Sequence, residues 1–443
     1  MNQTGDKKMT ASQSERQSSM LDELQRDSFG YFINEVNPET GLVADKTRED
    51  WPSSIAATGL ALASYPVGVE RGFMEREEAL KRTLTTLRFF QNSLQVQGPG
   101  GTGYKGFYYH YLDMKTGQRA FKCELSTIDT AYLIVGMMAA AAYFDGETSE
   151  EEEVRRLTNQ LYERIDWDWA RADGATLSHG WKPGSGFLEY RWEGYDESLL
   201  LYILALGSPT HPIPAENYAA VMKGYVWKKI YDYECLYAGP LFVHQYPQMF
   251  IDFRQIQDDY MHERELDYFE NSRRATLIQQ QYAIRNPNEF DGYDEFNWGI
   301  TASDGPGPAT MKIDGIERVF YDYIARGVPY GPDDGSLAPW AVVASLPFAP
   351  EIVLPSLEKF EELKLKEDIY GYKATFNRTY PHESDSEYGW VSPYHFGINQ
   401  GPIVLMIENH RTGFLWNLMK RCPPVVQGLR KAGFRGGWLE GTP

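Results

Sequence analysis

"GFLEYRWEGYDESLLLYILALG", residues 186–207, changes within a few positions from acids and aromatic rings to an almost wholly apolar run. Glu189, Glu193, Asp196 and Glu197 fall within nine positions, interleaved with Tyr190, Trp192 and Tyr195. An apolar run with no polar face, yet far below the roughly 18 residues of a membrane span, predicts a helix buried in protein. STIDTAYLIVGMMAAAAYF (126–144) has the same character. By contrast, REEALKRTLTTLRFFQNSL (76–94) is amphipathic. SEEEEVRRLTNQLYERI (149–165) is polar, with acids in its first turn, where the helix dipole favours them.

Helical periodicity extends over 21–36, 53–72, 197–207, 215–227, a segment near 248–262, 268–286, 315–327, 336–348, 350–363 and 401–421. Buried helices alternating with amphipathic ones predict an inner and an outer ring, an all-α (α/α)6 barrel or toroid. No fixed repeat of about 30–45 residues supports a solenoid instead. The long Gly-, Pro- and aromatic-rich stretches 98–117, 173–187 and 301–315 are expected to gather as loops and form a cleft at one end. Within the first, GFYYHYLD reads as a hairpin arm. Residues 1–19, rich in Ser, Gln, Lys and Thr, read as a flexible tail. Residues 20–443 carry no Pro/Ser linker and read as one domain.

Composition narrows the function. Of 443 residues, 42% are hydrophobic, enough for a large core, and 14% are aromatic, including 30 Tyr and 11 Trp. Such rings pack cores, and they also make half-polar walls on which sugar rings lie. A net charge of −19 argues against nucleic acid and against an anionic membrane surface, and it suits a neutral partner. Cys123, Cys235 and Cys422 are odd in number and widely spaced, so neither a disulfide framework nor a zinc site is legible. No metal or cofactor is expected. The polar start MNQTGDKKMTASQSERQSS lacks the apolar core of a signal peptide, which reads as cytoplasmic. A mature chain freed of its leader reads the same way and is then periplasmic or secreted.

Glycoside cleavage requires one carboxyl to protonate the leaving oxygen and another to activate water or attack carbon. Glu197 stands where the polar loop becomes the buried helix, so it can face a cleft while its neighbours bury. The competing reading makes Asp196 the helix cap and Glu197 a first-turn acid. Asp129 lies inside an apolar helix, a costly place for a carboxylate that is neither paired nor functional, and Glu124 precedes the expected Ser126 cap. Asp304 stands in the Gly-rich turn of WGITASDGPG (298–307) near Trp298, and FVHQYPQMFIDFR (242–254) sets His244 and Gln245 among aromatics. Each mixture suits sugar hydroxyls, and equally a buried polar network. His110 and His395 read as isolated structural histidines. The absence of HExxH, GxSxG and Rossmann glycine patterns weakens protease, esterase and dehydrogenase readings.

Taken in order, LDELQRDSFGYF, NPETGLV, SSIAATG, GVERG, GFYYHYLDM, ELSTIDTA, WEGYDESLLLYILALGSPTHP, AGPLFVHQY, DYFENSRRATL, WGITASDGPG, SLPFAPE and NQGPIVLMIENHRTG resemble the bacterial glycoamylase-like family that includes endo-β-1,2-glucanases, glycoside hydrolase family 144. The resemblance runs from about residue 20 to 435. It implies an (α/α)6 barrel and inverting hydrolysis of β-1,2-glucan or its oligosaccharides, with the general acid on Glu197 and with Glu124 and Asp129 in the same pocket. Trp192, Glu193, Tyr195, His244, Gln245, Trp298 and Asn399 are the expected sugar-binding residues. The family pattern GIDQGP reads GINQGP here. Asn399 offers no base, which leaves Asp129, Glu124 or Asp304. Transglycosylation, and saccharide binding without catalysis, are the alternative readings.

Overall fold

The structure, a computed structural model, describes residues 11–98, 100–367, 369–382 and 388–442. The apolar runs fold as helices buried on all sides. Thr127–Tyr143 and Leu199–Gly207 are of this kind, whereas Arg76–Asn92 and Ser149–Glu163 bury one face. Each fully buried Leu or Ile contributes about 1.5–3 kcal/mol of transfer free energy, so nine buried residues in Leu199–Gly207 make that helix a fixed element. Ile55–Glu70 packs against Thr127–Tyr143 so closely that a Cβ at Gly136 would stand 1.9 Å from the Gly59 carbonyl oxygen. One hydrophobic cluster extends from Leu21 to Leu439.

Among the described residues, six helices point their N-terminal ends at one cavity. They are Ile55–Glu70, Thr127–Tyr143, Leu199–Gly207, Tyr246–Phe250, Pro339–Ala344 and Gly397–Thr412. Ser54, Asp129, Glu197, Tyr246, Trp340 and Asn399 mark those ends in the cavity wall. The more polar helices lie outside. Arg76–Asn92 packs on Ser149–Glu163 and on Ile55–Glu70, Ala11–Asn34 on Gly397–Thr412, and Pro423–Lys431 on Leu199–Gly207. No helix among the described residues is long and apolar enough to cross a membrane.

The fold is largely helical but not all-α. Five short antiparallel strands, Gly103–Tyr104, Phe107–Tyr109, Leu125–Ser126, Gly180–Lys182 and Gly186–Phe187, pair in that order. The GFYYHYLD arm is a strand as expected, but it divides. Phe107–Tyr109 joins this sheet, and Tyr111–Leu112 pairs with Ser53–Ser54. Residues 315–327 are not a helix. Ile316–Phe320 pairs with Ala309–Ile313 across Asp314 and Gly315, whose φ values are 49° and 86°. Asp-Gly is the signature of a tight hairpin turn, and it outweighs the helical spacing of the apolar residues. The expected helix 401–421 stops at Gly413, in the left-handed region at φ 66°, and resumes as Phe414–Met419.

The N-terminal reading needs correction too. Residues 11–19 are not tail but the first turns of Ala11–Asn34, while residues 1–10 lie outside the described residues. Their composition has little apolar period, yet polar docking holds them. Gln17 is buried and donates to Glu358 Oε1 at 2.9 Å, and Arg411 donates to the Ser18 carbonyl at 3.0 Å.

Candidate active site

The six N-terminal ends enclose a cavity of about 480 Å³. Aromatic walls come from Trp51, Tyr111, Tyr132, Tyr246, Tyr323 and Trp340, and ionisable groups from Asp45, Lys46, His110, Asp129 and Glu197. Flat rings with a few convergent polar groups are what a saccharide site requires.

Glu197 sits two residues before Leu199–Gly207 rather than in its first turn. The residue at the cap is Ser198, so Asp196 is not the cap. Its carboxylate accepts from the Ser198 N–H at 2.9 Å and from the Ser198 hydroxyl, folding the chain into a turn before the helix. This turn carries Glu197 into the cavity. Burial drives its pKa well above the ordinary carboxylate range, and the charges of Asp129 and Asp196 drive it further. Burial likewise lifts Asp196 to about 6.

Asp129 stands in the first turn of Thr127–Tyr143. The Ser126 hydroxyl donates to its carboxylate and accepts from its backbone N–H at 3.1 Å, a local capping interaction that fixes the side chain. His110, in the break between two strands, is not an isolated structural histidine. Its Nδ1 lies 2.9 Å from Glu124 Oε1, its Nε2 lies 3.6 Å from Asp129 Oδ2, and its ring stacks on Tyr111 at 4.0 Å. Burial opposes the imidazolium, but Asp129, Glu124 and Asp45 outweigh it and lift the ring to about 9. Burial also acts to raise Glu124, yet the His110 bond and charge pull that carboxyl down to about 2. Asp45 is raised by burial, although Trp51 Nε1–H donates to it at 3.0 Å.

Of the acids chosen from sequence, Glu197 and Asp129 meet in the cavity, and Glu124 reaches it through His110. Asn399 also lines it. The other choices do not border it. Asp304 accepts from the Ser392 hydroxyl at 2.7 Å. Trp192 stacks on His179 at 3.7 Å and donates to Thr127 Oγ1. Tyr195 bonds His244 at 3.3 Å, and burial lowers that histidine to about 4. Gln245 donates to the Ala341 carbonyl and to Ser345, Trp298 donates to Ser356, and exposed Glu193 accepts from Thr176. Each of them bonds within the protein and away from the cavity lining. Sequence reasoning missed Asp45, Lys46, Trp51 and Tyr323. The one signal for the first three was an Asp-Lys pair and a Trp crowded into the short link before Ser53.

Residues 189–423 match the family described as "Glycoamylase: Putative glucoamylase". The chain belongs to that family. A crystal structure of a "putative glucoamylase" from Bacteroides uniformis is 30% identical, covers 98% of this chain and 100% of its own, and superposes with a TM-score of 0.82. An endo-β-1,2-glucanase from Chitinophaga pinensis, in complex with sophorotriose and glucose, is 26% identical, covering 95% of this chain and 99% of its own, also at 0.82. A Parabacteroides distasonis protein named exo β-1,2-glucooligosaccharide sophorohydrolase (non-reducing end) is 28% identical over 93% of this chain. This chain spans 57% of that relative's length.

Proposed function

We propose that the protein is a glycoside hydrolase that cleaves β-1,2-glucan or β-1,2-glucooligosaccharides with inversion, on an (α/α)6 barrel in a single domain. The observation that carries the reading is the contrast inside one cavity. Glu197 is kept protonated by burial, beside an Asp129 carboxylate bound by Ser126 and faced by the His110 cation. In this mechanism Glu197 gives its proton to the leaving glycosidic oxygen as the bond from the anomeric carbon breaks. A water oxygen bonds that carbon from the opposite side, and Asp129 takes the water's proton directly or through a relay. Glu124 supports Asp129 through His110. Asp304 accepts from the Ser392 hydroxyl and is not among the lining residues, so this reading gives the role to Asp129. The ring of six helix ends supports the barrel, the continuous core supports one domain, and the relatives' names support the β-1,2 linkage.

Incubation with linear β-1,2-glucan tests the reading. New reducing ends, with the α-anomer seen first by NMR, are expected, and product lengths distinguish endo from exo attack. Products longer than the starting chains would instead assign transglycosylation. Saccharide binding without any cleavage overturns the enzymatic reading.

A further inference from the structure

A second groove of about 580 Å³ adjoins the cavity and shares Lys46 and Trp51 with it. Its outer edge is Phe121, 60% exposed, an unusual position for so large an apolar ring. Phe121 stands 5.0 Å from Trp51 and 5.8 Å from Tyr111, so aromatic surface runs unbroken from the cavity wall outward. The backbone is held to present it. Phe121 and Lys122 both adopt left-handed φ, at 52° and 51°, an unfavourable conformation for such residues, and Arg119 clamps the carbonyls of Lys122 and Cys123 at 2.6 and 2.5 Å.

At the junction, the Lys46 ammonium lies 4.3 Å from the Trp51 ring centroid, 4.9 Å from Phe396 and 5.1 Å from Tyr394, and it has no carboxylate within ion-pair range among the described residues. Arg48 lies 4.7 Å from the same Trp51 ring. Two cations thus stand on an aromatic surface with donors to spare, while Glu35, Glu49, Asp50 and Asp113 supply acceptors. The mixed charge disfavours a polyanion and suits a chain of neutral hydroxyls beside a ring.

We propose that this groove is an outer saccharide subsite, in which Phe121 stacks a glucose residue of the substrate beyond those held at the cleavage point, and Lys46 bonds the chain as it passes. The proposal rests on the β-1,2-glucan reading above. It makes the groove the element that rewards longer substrates.

The test compares kcat/KM across β-1,2-glucooligosaccharides of increasing length for the unmodified protein, Phe121→Asn and Phe121→Tyr. Asn tolerates left-handed φ, so the backbone survives the change. The shortest cleaved substrate should be processed equally by all three. For longer chains Phe121→Asn should lose about three- to tenfold, the worth of one aromatic contact, and Phe121→Tyr should restore it. A loss equal at every length, or none at any length, overturns the groove and leaves the hydrolase reading standing. An unmodified protein that cleaves no β-1,2-linked saccharide overturns both.

Discussion

Two glutamates near one cavity are driven in opposite directions. Glu197 is desolvated among carboxylates and kept protonated, whereas Glu124 bonds a histidine cation and is held ionised down to about pH 2. Both are substantially buried, so burial alone does not set their state. For Glu197 burial dominates and the charges of Asp129 and Asp196 add to it, whereas for Glu124 the bond and charge of His110 outweigh it. A site that separates two carboxyls in this way has the requirements of acid/base chemistry already installed.

The strongest way to break this contrast is Glu197→Gln. It removes the proposed proton donor and should lower kcat by about 10²–10⁴-fold while saccharide binding, read by calorimetry, persists. The same variant has a stability consequence. The folded pKa of Glu197 lies above its ordinary 4.5, so at neutral pH the unfolded state has released a proton that the folded state retains. Stability therefore falls as pH rises above that ordinary value, and Gln removes the cost. A Tm at pH 7 no higher than that of the unmodified protein would contradict the protonated assignment.

Asp129→Asn tests the partner. It deletes the carboxylate that faces His110 and whose charge raises Glu197, so kcat should again fall by about 10²-fold or more. Near-normal turnover would move the base to Asp45, the other carboxylate in the wall.

His110→Gln is expected to cost less, about 10–100-fold in kcat/KM, the worth of a charge-assisted bond. Its decisive readout is the pH profile. With the cation gone, Glu124 returns from about 2 towards its ordinary value and loses its link to Asp129. The alkaline fall, set by ionisation of the proposed acid Glu197, should move to higher pH, because the His110 charge that lowers that carboxyl is gone. A profile lowered uniformly, with both limbs in place, would reduce His110 to a packing residue. The groups facing it are Asp45, Glu124 and Asp129, with Tyr111 stacked on the ring.

The sequence made part of this legible. Glu197 and Asp129 stand where polar chain turns into buried helix, and that transition is visible as a change in period. The buried helices were readable for the same reason. What remained hidden sits in loops. Asp45, Lys46 and His110 reach the cavity through short strands and breaks between strands, whose register depends on partners far along the chain. Trp192, Tyr195, His244, Gln245, Trp298 and Asp304, also chosen from sequence, lie outside the cavity lining. Aromatic and polar residues side by side make a sugar site or a satisfied interior network equally well, and only the direction of each side chain separates the two.

Glu193→Gln is the smallest and most local comparison. Glu193 and Glu197 lie four positions apart in the stretch that carries the acids, and by composition either could serve. The turn that begins at Gly194, with φ 85°, and closes with Asp196 bonded to Ser198 points them to different environments. Glu193 is left exposed, accepting from Thr176 at 2.9 Å, while Glu197 enters the cavity. An exposed carboxylate with one neutral donor contributes little to stability or chemistry, so kcat/KM should stay within about twofold of the unmodified value. A loss approaching that of Glu197→Gln would mean that Glu193 swings inward when saccharide binds, and the division of labour between the two acids would have to be redrawn.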